Sequence, residues 1–176
     1  MDIKRTEIIA SAASETEAKE IYTAAVKALT EASLTVATAE SCTGGLMGKL
    51  FTDVSGASAV FSGGMITYTN NVKINKLGVS AETVEKYTEV SFECAAEMAV
   101  RAREYFETDV AISATGYAGP TGGTEKDPVG TVYLGIATQN SVEVNRLTFN
   151  FADREKIRYG TAKIAAESLF CAIKTT

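Results

Sequence analysis

The chain has 176 residues, 45% hydrophobic and 22% charged, which excludes a disordered tail or fibrous repeat and predicts one compact domain over residues 1–176. A net charge of −5, with no stretch dominated by Lys and Arg, excludes a phosphate-tracking nucleic-acid surface, and no apolar run reaches the roughly 20 residues of a membrane span. The absence of histidine removes every His-dependent catalytic arrangement and His-containing metal site, while Cys42, Cys94 and Cys171 lie too far apart for a disulfide framework or an all-cysteine metal site.

Residues 1–13 carry no clear pattern, so no regular element is predicted for them and their order or disorder is left open. They also lack an apolar signal-type segment, so a cytoplasmic protein is predicted. Ser14 and Glu17 form a capping box, and Ile21, Ala25 and Leu29 continue with helical spacing to about Ser33. Leu34–Thr38 reads as a short buried strand. A helix opens around Gly44-Gly45 and stops near Asp53, before the turn residues Ser55–Ser58. Ala59–Thr69 reads as a strand interrupted by Gly63-Gly64, which marks a bulge or a close approach of another group to the backbone. Polar helical pieces follow at Asn71–Leu77 and Ser80–Tyr87.

The one-sided stripe of Phe92, Ala95, Ala96, Ala99, Ala102 and Phe106 predicts an amphipathic helix from Ser91. Asp109–Thr115 reads as a strand entering a loop, Gly116–Pro128, rich in Gly, Pro and Thr. Strands at Val129–Thr138 and Val142–Asn150 flank the turn Asn140-Ser141, and a last helix spans Asp153–Ile173. Helices interleave with strands early and strands become adjacent late. The expected fold is therefore a single three-layer α/β/α domain with a mixed sheet.

The densest chemical segment is Glu40-Ser41-Cys42-Thr43-Gly44-Gly45, between a strand and a helix. Unpaired amides at a helix start could hold a phosphate or an oxyanion there, although a plain capped turn explains the same residues. A phosphate-loop reading of Gly44, Gly48 and Lys49 fails, because the spacing is one residue short and Leu50 replaces the Mg²⁺-binding hydroxyl. If Ser41 is a nucleophile, its base must be a desolvated Lys, a Tyr relayed by Lys, or a carboxylate. Tyr68 and Lys73 are the candidates, with a surface lysine and an edge tyrosine as the bland alternative. Cys42 could instead be the nucleophile, a thiolate at a helix start, or simply a packed thiol. The loop Thr115-Gly116-Tyr117-Ala118-Gly119-Pro120-Thr121 is long enough to suggest a ligand-binding role.

Three segments together resemble the CinA C-terminal domain family of nicotinamide-nucleotide amidases: Glu40–Gly45; Gly63-Gly64-Met65-Ile66-Thr67-Tyr68 with Lys73 and Lys76-Leu77-Gly78-Val79; and Thr115–Pro120 with Pro128-Val129-Gly130-Thr131-Val132. The resemblance implies hydrolysis of the carboxamide of nicotinamide mononucleotide to nicotinate mononucleotide and ammonia. It places the nucleophile on Ser41 and the tyrosine and lysine on Tyr68 and Lys73. Substrate-binding positions then fall on Cys42, Thr43, Gly44, Gly45, Gly63, Gly64, Thr115, Gly116, Gly119 and Arg154, with Arg154 at the phosphate and either glycine pair supplying the oxyanion hole. No metal or other cofactor is expected. The expected partner is a small nucleotide substrate, with neither nucleic acid nor membrane, and the reading is compatible with a homo-oligomer. Tyr117 and Thr121 stand where the family commonly has Ile and Gly, which favours the alternative of a nucleotide-binding or regulatory paralogue without turnover. The pyrophosphatase-like role of the N-terminal domain in larger members is not expected of this chain.

Overall fold

The computed structural model describes residues 2–174 and 176. In chain order the elements are β1 (Lys4–Ala10), α1 (Glu15–Ala32), β2 (Val36–Glu40), α2 (Leu46–Thr52), β3 (Phe61–Ile66), α3 (Asn70–Val72), α4 (Ala81–Tyr87), α5 (Phe92–Phe106), β4 (Val110–Gly116), β5 (Thr131–Ala137), β6 (Val142–Phe149) and α6 (Arg154–Ile173). The helical turn α3 continues as a π-turn, Lys73–Leu77. Among the described residues the six strands form one mixed sheet in the order β1-β6-β5-β4-β2-β3. The β1/β6, β2/β3 and β2/β4 pairs are parallel, and β4/β5 and β5/β6 are antiparallel.

Helices cover both faces, as the interleaved pattern requires. Tyr22 and Leu29 of α1, Leu50 and Phe51 of α2, and Ile157 and Leu169 of α6 pack on one side of the sheet in the largest apolar cluster. Cys94, Met98 and Ala102 of α5 pack on the other side against Ala37, Ala39 and Ala111. The capping box of α1 is present, with the Glu17 amide donating to Ser14 Oγ at 3.2 Å and the Ser14 amide donating to the Glu17 carboxylate at 2.8 Å.

The N-terminal expectation is corrected, since residues 4–10 form β1, an edge strand in parallel register with β6. Its sequence, KRTEIIA, hides this because almost the whole strand is exposed, leaving no period-two alternation to read. Lys4 pairs with Glu143 at 2.8 Å and Arg5 with Glu93 at 2.8 Å, so this edge is tied down partly by charge. Met1 lies outside the described residues.

The glycines of β3 answer the question their position raised. The β2/β3 register slips between Val36 and Ala37, so a bulge is present. Close approach is present too: a Cβ on Gly64 would sit 2.2 Å from Thr38 Oγ1, and one on Gly63 would sit 2.8 Å from the Phe106 ring. Strand β2 also lies two residues later than its apolar run suggests, which makes Glu40 its last residue and puts Ser41 at the strand's end.

Candidate active site

Strands β3 and β4 lie on opposite sides of β2. An open cleft of about 450 Å³ lies where β2 and β4 end, the place where α/β sheets put ligand sites. Ser41, Lys73, Tyr68, Thr115 and Arg154 all line it.

The turn that carries Ser41 is built around Glu40. This residue is 2% exposed, and its carboxylate accepts the amides of Gly45 at 3.0 Å, Met47 at 3.0 Å and Gly48 at 2.8 Å, together with the Thr38 hydroxyl at 3.3 Å. A buried carboxylate is tolerable when amides satisfy its oxygens, and here they are the orphan donors of the start of α2. Gly45 opens that helix with φ +93, a left-handed conformation that favours glycine. Arg158 of α6 clamps the turn from outside, its Nε donating to the Thr43 carbonyl at 2.9 Å and its Nη2 to the same oxygen.

Ser41 itself is held by its amide, which donates to the Ala114 carbonyl at 2.8 Å. Its Oγ accepts from Lys73 Nζ at 3.0 Å. Lys73 is only 1% exposed and donates also to the Thr67 carbonyl at 2.9 Å. The Thr67 amide in turn donates to the Glu40 carbonyl at 2.7 Å, so nucleophile and base hang from one strand end. Burial holds the Lys73 ammonium below its ordinary value of 10.5; nearby Cys94, Glu89 and Cys42 work against it. Both thiols are themselves pushed up to about 12 by burial and stay uncharged at neutral pH. Glu89 is therefore the acidic group whose charge opposes the effect.

Other positions come out differently. Burial pushes the Cys42 thiol up to about 12, which disfavours the thiolate alternative. The oxyanion donors expected of Gly44 and Gly45 are already taken: the Gly44 amide donates to the Ser41 carbonyl at 3.1 Å and the Gly45 amide to Glu40. Gly63 and Gly64 sit inside β3, packed on Phe106 and Thr38, and do not line the cleft. Thr115 reaches it, but its hydroxyl donates to the Glu89 carbonyl at 2.7 Å. At Gly116 a Cβ would lie 2.4 Å from the Thr131 carbonyl, so that glycine serves packing. Gly119, at φ +76, shapes the cleft wall. Tyr68 is 62% exposed at the rim and makes no direct hydrogen bond to Ser41 or Lys73, so the direct contact is between Ser41 and Lys73. Arg154, exposed at the start of α6, lines the cleft as expected. Among the described residues, the amides of Cys42 and Thr43 donate to no carbonyl and no other side chain.

Glu40 and Arg158 are structural keys that motif reading left without a role. The first carried a signal, an acidic residue just ahead of a glycine turn. The second carried none, since it acts across 115 positions of chain.

No helix among the described residues is long and apolar enough to cross a membrane, and no group of acidic or cysteine side chains is placed to hold a metal ion. The CinA C-terminal domain profile matches residues 18–173. A CinA-like protein of Fervidobacterium nodosum is 43% identical over 152 residues, 86% of this chain and 37% of that protein, and one of Kosmotoga olearia is 45% identical over 142 residues, 81% and 34% respectively. The chain thus spans about a third of the length of the curated relatives it matches. The crystal structure of the competence/damage inducible protein CihA from Agrobacterium tumefaciens superposes with a TM-score of 0.86 at 36% identity, covering 90% of this chain and 96% of that one. On sequence and architecture together, the chain belongs to the CinA C-terminal domain family.

Proposed function

We propose that the protein is a serine amidohydrolase that removes ammonia from the carboxamide of nicotinamide mononucleotide. The observation that carries this reading is the 3.0 Å contact between Lys73 Nζ and Ser41 Oγ, with the lysine buried and its pKa lowered. A lysine shifted toward neutrality can serve as a general base for a hydroxyl nucleophile.

In this mechanism neutral Lys73 takes the Ser41 proton as Oγ bonds to the carboxamide carbon. The oxyanion that forms is met by the amide of Cys42, which follows Ser41, lines the cleft and donates to no carbonyl, whereas Thr43 is buried away from the cleft. Lys73 then returns the proton to the departing nitrogen, the C–N bond breaks, and ammonia leaves an ester on Ser41. Water, deprotonated by Lys73, attacks that ester, and cleavage of the Oγ–C bond releases the carboxylate and restores Ser41. Arg154 at the cleft wall is suited to the nucleotide phosphate. A cleft of about 450 Å³ is of the size that takes a mononucleotide.

A second reading, a nucleotide-binding paralogue without turnover, is favoured by Tyr117 and Thr121, which both line the cleft. Incubation of purified protein with nicotinamide mononucleotide decides between them. Stoichiometric formation of ammonia and nicotinate mononucleotide, lost in Ser41→Ala, supports the amidase. Binding without ammonia release supports the paralogue.

A further inference from the structure

Glu89 is the one carboxylate among the described residues that line the cleft, facing the same space as Ser41, Lys73 and Arg154. Its side chain makes no hydrogen bond and no ion pair within the described chain. Its backbone, by contrast, is firmly held. The Thr115 hydroxyl donates to the Glu89 carbonyl at 2.7 Å, the Thr88 hydroxyl donates to the Val90 carbonyl at 3.1 Å, and the Ser91 hydroxyl donates to the Thr88 carbonyl at 3.0 Å. Thr88 sits at φ 73, ψ 167, a region that β-branched residues avoid and that persists only where the surroundings enforce it.

A carboxylate here is not needed to cap α5, because the Cys94 amide already donates to Ser91 Oγ at 3.1 Å. It is also unhelpful to the base, since a nearby anion favours the protonated lysine. An acid that neither caps the helix nor assists Lys73 has a clear use if the ligand brings a positive charge into the cleft.

We infer that Glu89 is a specificity-determining residue that selects a nucleotide whose base is a cationic pyridinium ring over one whose ring is neutral. The inference rests on the amidase reading for its substrate and deepens it. Nicotinamide joined to ribose through its ring nitrogen carries that charge, and a partly desolvated carboxylate attracts it far more strongly than one in bulk water. Binding also pairs the Glu89 charge with the ring and so removes part of its hold on the Lys73 proton. The base is thereby made more available when the right ring is in place. After hydrolysis the same anion repels the new carboxylate, which assists release.

The test compares two ligands differing by one charge: nicotinamide mononucleotide and its reduced form, which keeps the phosphate and carboxamide but has a neutral dihydropyridine ring. Affinities are measured by calorimetry in the Ser41→Ala protein, with Glu89 intact and with Glu89→Gln added. The expected result is a preference for the cationic form of about tenfold with Glu89 present, falling to within about twofold in Glu89→Gln through weaker binding of the cation. Glu89→Asp, which keeps the charge, should restore most of it. An equal preference with and without the Glu89→Gln substitution would overturn the assignment while leaving the amidase reading to stand on ammonia release by wild type. If neither nucleotide binds, the nucleotide reading of the cleft and the role of Glu89 fall together. Circular dichroism spectra matching those of wild type establish that the variants are folded.

Discussion

Lys73 Nζ lies 3.0 Å from Ser41 Oγ although the two residues are 32 positions apart, and both are almost sealed from solvent. The contact joins the end of β2 to the π-turn that follows α3, two elements that the β2/β3 pairing and their common packing against α5 bring together.

From this contact, Ser41→Ala should abolish ammonia release from nicotinamide mononucleotide and leave affinity within about tenfold of wild type. Lys73→Met should do the same, because it keeps bulk while removing the base. Turnover and calorimetric binding on the same preparations check both. Ser41→Ala with near-normal turnover would remove the proposed nucleophile.

Cys42→Ala should retain ammonia release within about tenfold of wild type, since a thiol held near 12 supplies no thiolate at neutral pH. Loss of activity matching that of Ser41→Ala would shift the nucleophile by one residue. The assay is initial rate at saturating substrate.

The pH dependence follows from the sign of the Lys73 shift. Only the neutral amine accepts a proton, so kcat/KM should rise with pH through a midpoint below 10.5. Burial lowers the Lys73 pKa and the facing groups Cys94, Glu89 and Cys42 oppose it, Glu89 being the one that is charged at neutral pH. Glu89→Gln should therefore move the acid limb to lower pH. Stability gives a second readout: between the lowered folded value and 10.5 the unfolded chain binds more protons, so stability contributed by this group rises with pH there. Across that window the thermal midpoint of wild type should gain on that of Lys73→Met as pH rises, because the buried thiols and Tyr133 titrate alike in both proteins and cancel in the difference.

Glu40→Gln should destabilise the protein by ~2–4 kcal/mol, because one amide oxygen cannot replace a buried carboxylate that satisfies several helix-start donors. The displaced turn should lower kcat more than it raises KM. Denaturant titration and steady-state kinetics measure the two effects, and a variant as stable as wild type would contradict the role of Glu40.

The two arginines of α6 should separate cleanly. Arg154→Ala removes a group that lines the cleft and should raise KM about tenfold with kcat little changed. Arg158→Ala removes the clamp on the Thr43 carbonyl and should lower kcat instead, with KM less affected. Identical effects of the two substitutions would show that the turn and the phosphate contact are not distinct.

Local chemistry was enough to find much of this protein. Periodicity placed α1, α5 and α6, the lack of histidine narrowed the base to a lysine, tyrosine or carboxylate, and the run Glu40–Gly45 marked the turn that carries Ser41. What local chemistry could not express was pairing across the chain. The strand β1 has almost no buried face, so its place was set by the free edge of β6 and by Lys4 and Arg5 reaching Glu143 and Glu93. The glycines of β3 looked like ligand-binding positions until the fold laid Phe106 and Thr38 against them. Motif spacing left open whether Lys73 takes the Ser41 proton directly or through Tyr68. The π-turn carried the lysine inward to Ser41 and left the tyrosine at the rim. Glu40 was visible as a letter in a motif, but its burial and its capture of three amides exist only once α2 folds back over the end of β2. Residue identity thus determined which chemistries were available, and the sheet order decided which groups met, because burial, proton affinity and hydrogen-bond partners are properties of neighbours in space.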